Sequence, residues 1–160
     1  MTEIGFNLPF ILLAEDDDND AFGTELAFKK AELAHRMRRV CDGQQAIDYL
    51  SGQGDYSDRV RHPTPSLLLM DWKMPRKSGF DVLQWLRAHP SLQHLVVVIL
   101  TGSSDEADKK QAYEMRANSY LVKPSSFQDF VRLLKMLEGY WSLNQVPDRT
   151  GDSHAAALAP

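Results

Sequence analysis

The stretch that most constrains this chain is Leu67 to Pro75, which reads Leu-Leu-Leu-Met-Asp-Trp-Lys-Met-Pro. Four consecutive apolar residues suit a strand buried on both faces of a parallel sheet, where neither face needs polar alternation. This strand ends in Asp71. In open α/β sheets the carboxyl ends of the strands border the ligand crevice, so an acid at that position is placed for chemistry rather than for packing. An Asp after a strand also serves as a helix cap or turn residue, and this stretch alone leaves both readings open. The other strand ends bear on the choice.

Phe10 to Ala14 is a first buried strand, followed at once by Glu15-Asp16-Asp17-Asp18-Asn19-Asp20. Such a run is either a capped helix start or a cation site. Asp18 to Asp20 are expected to cap and charge a helix whose apolar positions are Ala21, Phe22, Leu26, Ala27 and Leu33, while Glu15 and Asp16 face the crevice. Met37 to Cys41 suits a short second strand, with Arg36, Arg38 and Arg39 on a solvated edge, and Asp42-Gly43-Gln44-Gln45 carries a capping-box pattern. Gly52 to Pro65 shifts to Gly, Asp, Ser, Arg and Pro, an exposed connection that is either a linker or a partner-specific surface. After Asp71, Ser78 and Asp81 form a second capping box, and the helix behind them ends near His89-Pro90. Leu95 to Leu100 is a fourth strand ending at Thr101, residues 105–115 a polar helix, and Ser119 to Val122 a fifth strand closed by Lys123-Pro124. A last helix is expected from Ser125 or Ser126 to about Trp141, and residues 144–160 read as a disordered tail.

Alternating strands and helices imply a doubly wound α/β fold, a parallel sheet with helices on both faces and right-handed crossovers. At 160 residues the expectation is one domain over 1–143, with its core at about 10–141. The formal charge of -4 argues against a nucleic-acid surface, and the apolar runs are too short to span a membrane. No basic segment precedes an apolar stretch at the start, and the single cysteine, Cys41, can form no internal disulfide, so a reducing cytoplasm is expected.

Asp16, Asp71, Thr101 and Lys123 thus all stand at strand ends, on one edge of one sheet. Converging carboxylates repel, and a hard divalent ion such as Mg2+ is the simplest way to hold them together. With a Lys and a Thr in the same crevice, the chemistry fits phosphoryl transfer, in which charge spreads over three equatorial oxygens that each need a partner. Asp71 is the evident nucleophile and would form an aspartyl phosphate.

In order and spacing, Ile-Leu-Leu-Ala-Glu15-Asp16-Asp, Leu-Leu-Met-Asp71-Trp-Lys-Met-Pro75-x-x-x-Gly79, Leu-Thr101-Gly-Ser and Tyr120-Leu-Val-Lys123-Pro124 resemble the receiver domain of two-component response regulators. The resemblance covers roughly Phe10 to Trp141 and implies a five-stranded sheet of order 2-1-3-4-5. It implies that Asp71 is the phosphoacceptor and that Glu15, Asp16, Asp71 and the Lys73 carbonyl hold Mg2+, with Mn2+ as a substitute. Lys123 would bind the phosphoryl group, Thr101 and Tyr120 would be a switch pair, and the Lys123–Pro124 bond would be cis. Arg116 and Trp72 depart from the family's habit, the first replacing a usual glycine, the second crowding the acceptor. The Asp42-Gly-Gln-Gln segment, the long loop and the Gly139-Tyr-Trp-Ser-Leu ending are similar to stand-alone regulators paired with phytochrome-type kinases. Partners implied are a sensor histidine kinase or histidine phosphotransfer protein and a downstream protein target.

Two other readings compete. A haloacid-dehalogenase-type phosphatase would want a second Asp two residues after the nucleophile, where this chain has Lys73. A receiver-like interaction module acting without phosphorylation would lack part of the acid, Asp, Thr and Lys set, which is complete here. On the last helix Leu133, Met136 and Tyr140 make a second apolar stripe, expected as a homodimer interface.

Overall fold

The computed structural model describes residues 10–33 and 37–143. Strands β1 (Ile11–Ala14), β2 (Met37–Val40), β3 (Leu67–Met70), β4 (Val96–Thr101) and β5 (Ser119–Val122) alternate with helices α1 (Asp18–Lys30), α2 (Gly43–Ser51), α3 (Gly79–Ala88), α4 (Glu106–Glu114) and α5 (Phe127–Leu143). All strand pairs are parallel, in the order β2-β1-β3-β4-β5. That is the expected doubly wound topology.

Because side chains alternate along each strand, the sheet sends Leu12, Leu68, Met70, Val97 and Ile99 to one face and Ile11, Leu13, Leu67, Leu69 and Val98 to the other. The first set packs under α2, α3 and Ala112 of α4; the second packs under α1 and α5. Both faces of β1, β3 and β4 are buried, which is why those strands read as unbroken apolar runs. Ala112 is the sole fully buried residue of α4, in keeping with its polar sequence.

Helix α1 departs from expectation. Its buried face is Ala21, Thr24, Ala27 and Phe28, whereas Phe22 is 62% exposed and Leu26 also faces solvent. Small residues let α1 lie close to the sheet and α5, and close approach outweighs the hydrophobicity of the two larger side chains. Its cap is Asp17, whose carboxylate accepts from the Asp20 amide at 2.9 Å. Asp42 caps α2 as expected, but Gln45 completes the turn by accepting from the Cys41 amide rather than from Asp42. The Ser78–Asp81 capping box is fully formed.

The edge arginines are engaged. Arg39 donates to the Glu15 carbonyl at 3.0 Å and pairs with Asp18 at 2.8 Å, strapping β2 to the loop after β1, and Arg38 lies over the Phe10 ring and reaches the Arg61 carbonyl. Arg36 lies outside the described residues, as does the tail expected over 144–160. The 52–65 connection is built rather than slack. Arg59 donates to the Tyr49, Leu50 and His62 carbonyls, closing the end of α2, and Tyr49, Tyr56 and His62 pack their rings at 5.0–5.8 Å.

Candidate phosphoryl-transfer site

Four strands deliver chemistry to one edge of the sheet. Glu15 and Asp16 follow β1, Asp71 follows β3, Thr101 ends β4 and Lys123 follows β5. Parallel pairing in register places these carboxyl ends side by side, with Met70 beside Ala14 and Ile99, and Thr101 beside Val122. Backbone bonds carry the register past the strands: the Asp71 amide donates to the Ala14 carbonyl and the Lys123 amide to the Thr101 carbonyl.

Glu15, Asp16 and Asp71 bring carboxylate oxygens within 4.8 Å of one another. Opposite ligands of an octahedral Mg2+ stand about 4.2 Å apart, so two of these acids can bind directly and the third through water, and the donor set of hard oxygens suits such an ion. Glu15 is 1% exposed and accepts from Lys123 Nζ at 2.7 Å, while Asp20 lies 3.5 Å from the same ammonium. Burial pushes the Glu15 carboxyl above its ordinary range against the pull of Lys123, and Asp71 adds to the rise. Burial alone would lower Lys123, but its bond to Glu15 and the charges of Glu15, Asp71 and Asp20 outweigh that and raise it. The two rise for different reasons: burial dominates at Glu15, whereas the surrounding acids outweigh burial at Lys123.

Thr101 is 3% exposed, and its hydroxyl accepts from the Ser103 amide at 3.2 Å. The Tyr120 ring is buried, and its hydroxyl donates to the Ser103 carbonyl at 2.9 Å. The expected switch pair is therefore joined through one residue of the loop after β4. Helix α4 holds the same loop, since Ser103 Oγ donates to Asp108 at 2.8 Å and Lys73 Nζ lies 3.4 Å from that carboxylate. Neither Asp108 nor the Arg39 strap carried a local sequence signal, because each partner lies far along the chain or in an irregular loop.

Three expectations are corrected. Trp72 does not crowd the acceptor: its ring is buried in the core under α2 and α3, so close to Gly79 that a β-carbon there would lie 2.8 Å from it. The Lys123–Pro124 bond is trans, as are all described peptide bonds; the lysine reaches the crevice without the cis form, and trans is the lower-energy isomer. Leu133 is half-buried against the sheet core, so the exposed part of the expected α5 stripe is Met136 and Tyr140, 66% and 68% exposed.

A family model for the response regulator receiver domain matches residues 11–135. The chain belongs to that family. Response regulator Rcp1 of Synechocystis sp. is 33% identical over 131 residues, covering 82% of this chain and 87% of that protein. Among solved structures, response regulator RPA3017, in red light signaling of R. palustris, superposes with a TM-score of 0.82 at 35% identity, covering 88% of this chain and 99% of that one. The phosphorylated cyanobacterial phytochrome response regulator RcpA gives a TM-score of 0.77 at 29% identity over 86% of this chain and 97% of that one. A Mn2+-bound form of Rcp1 also superposes, with a TM-score of 0.74 at 32% identity over 86% and 98% of the two chains. The receiver family thus accounts for the acids at the strand ends, and a divalent metal fits them. No helix among the described residues is long and apolar enough to cross a membrane.

Proposed function

We propose that this receiver acts as a single-domain, cytoplasmic response regulator that takes a phosphoryl group onto Asp71 from the phosphohistidine of a sensor kinase or phosphotransfer protein. The observation that carries this reading is the convergence of Glu15, Asp16 and Asp71 beside Lys123. An Asp71 carboxylate oxygen attacks phosphorus, a P–O bond forms as the P–N bond breaks, and the leaving imidazole takes up a proton. Glu15, Asp16, Asp71 and the Lys73 carbonyl would hold Mg2+, or Mn2+ in its place, and the ion would supply charge neutralisation for the phosphoryl oxygens. Lys123 gives up part of its contact with Glu15 to meet a second oxygen, and the Thr101 hydroxyl turns from the Ser103 amide toward a third. Tyr120, bonded to the same Ser103, reports that movement to the surface beside α4 and β5. The chain is a receiver and not a general catalyst: it promotes only its own phosphorylation and dephosphorylation.

Likeness to RPA3017, RcpA and Rcp1 supports a phytochrome-type kinase as the donor. The output is a changed protein contact, and the exposed Met136 and Tyr140 support a homodimer through α5. Intact mass after incubation with acetyl phosphate tests the reading. A gain of one phosphoryl group with Mg2+ and none without it is expected; no gain under either condition would favour an interaction module that works unphosphorylated.

A further inference from the structure

The loop between β3 and α3 carries the Lys73 carbonyl, and it is fastened to the start of α2, which supplies none of the clustered acids. At its ends the Gly79 amide donates to the Trp72 carbonyl at 2.9 Å, and within it the Lys77 amide donates to the Pro75 carbonyl at 2.7 Å. At its apex stands Arg76, in a left-handed conformation with φ of 63°, which side-chain-bearing residues other than Asn and Asp seldom adopt. The Arg76 guanidinium donates from Nε at 3.1 Å, and from a second nitrogen, to Oδ2 of Asp42. Asp42 is buried, and its other oxygen accepts from the Gln45 amide at 2.8 Å as the cap of α2. The contact extends to backbone: a β-carbon on Gly43 would lie 2.0 Å from the Lys77 carbonyl oxygen, so the first turn of α2 rests directly on the loop.

We propose that Asp42 and Arg76 are positioning residues for the divalent cation: their pair fixes the β3–α3 loop against α2 and thereby sets where the Lys73 carbonyl meets the metal. The pair touches neither the metal nor the phosphoryl group. The inference rests on the proposed metal site. A ligand supplied by loop backbone has no rotamer with which to correct a misplaced chain, so its position is only as good as the loop's anchorage. The strained Arg76 conformation fits this role, because it persists only where surrounding contacts over-determine it.

Two substitutions separate positioning from folding and from charge. Asp42→Asn keeps the helix cap, since Asn caps as well as Asp, but turns the oxygen facing Arg76 into an amide NH2, a donor against donors. Arg76→Asn keeps a residue that tolerates the left-handed region and removes the reach to Asp42. The two change net charge in opposite directions. If only long-range charge mattered, Arg76→Asn would bind Mg2+ more tightly and Asp42→Asn more weakly; positioning weakens both. Mg2+ titrations of the full chain, followed by amide NMR shifts, are expected to show the dissociation constant rising about tenfold in each variant, the scale for loss of an outer partner of a metal ligand. The double variant should be no weaker than the worse single one, because the two act as a unit. Melting temperature, read on the same samples, should fall only by the loss of this one pair, leaving both variants fully folded at the temperature of the titration. Tighter Mg2+ binding in Arg76→Asn, or both variants within twofold of wild type while wild type binds, would overturn the inference alone. A wild type that binds no Mg2+ would instead overturn the proposed metal site beneath it.

Discussion

Lys123 Nζ lies 2.7 Å from Glu15 and 3.5 Å from Asp20, so the lysine of the crevice is already held by acids from the loop and helix after β1. A phosphoryl group on Asp71 would compete with those acids for the ammonium. The crevice is thus poised by repulsion among its carboxylates, with one cation too few.

That imbalance makes Asp71→Asn an informative change. It removes one of three clustered carboxylates, so stability should rise, by up to about 1 kcal/mol, the scale of a charge–charge interaction at a partly exposed site. Phosphoryl labelling should be lost at the same time. Urea unfolding and intact mass measure the two effects; retained labelling would remove Asp71 from its role.

Asp16→Asn should act on the metal first. A site with few protein ligands loses a large share of its affinity with one carboxylate, so Mg2+ affinity is expected to fall at least about tenfold. NMR titration against wild type provides the comparison, and equal affinities would exclude Asp16 as a ligand.

Arg116 occupies the turn before β5 with φ of 64°, which explains the glycine usual in the family at that place. A left-handed non-glycine residue costs about 1–2 kcal/mol, while glycine costs about 0.5–1 kcal/mol in chain entropy. Arg116→Gly should therefore stabilise the fold by about 0.5–1 kcal/mol. It also removes a charge near Arg87, whose guanidinium is depressed by burial and by Arg116. The Arg87 bond to the carbonyl of residue 116, 2.7 Å long, survives the change. Thermal unfolding checks the sign.

Much of this was legible because a parallel sheet gathers all its carboxyl ends on one edge. Asp71, Asp16, Thr101 and Lys123 could be assigned to one crevice from strand ends alone, without knowing any contact. The face of α1 was not legible, because hydrophobicity points to Phe22 and Leu26 while packing selects Ala21, Thr24 and Ala27. The spacing of small residues at 21, 24 and 27 was the available signal. Pairs such as Asp42 with Arg76 and Lys73 with Asp108 join residues more than thirty positions apart, and no periodicity encodes them. Trp72 misled because bulk next to a reactive residue says nothing about which face of the sheet receives the ring.

The acid limb of stability should report the Asp42 pair. Burial pulls the Asp42 carboxyl upward, but the Gln45 amide and the Arg76 guanidinium outweigh it and hold it below its ordinary value of 3.8; Ser78 holds Asp81 below 3.8 by its backbone and side-chain bonds. A carboxyl depressed in the folded state stabilises fully above its unfolded value, and that contribution fades as pH falls through the lower, folded value. Wild type should lose it below about pH 3.8. In Asp42→Asn the drop across that window should be shallower, which urea unfolding at a series of acid pH values would reveal.

The proposed homodimer would rest on α5. Its inner face, Phe130, Val131, Leu134 and Trp141, is buried against the sheet and α1, while Met136, Tyr140 and Leu143 stand outward at four- and three-residue steps. Burying a side chain of this size contributes about 1.5–3 kcal/mol, so a self-complementary pair of such stripes offsets part or all of the cost of bringing two chains together, and a weak dimer is expected. Leu133 is half-buried, so changing it would damage the fold as well as the surface. Met136→Glu and Tyr140→Glu are the cleaner tests, because both side chains are already in water and an added acid opposes its symmetry mate only in the dimer. Sedimentation at tens of micromolar should show wild type associating, more so after acetyl phosphate treatment, and both variants monomeric with unchanged melting temperature. A wild type that stays monomeric with and without acetyl phosphate would mean that α5 presents this stripe to a different protein.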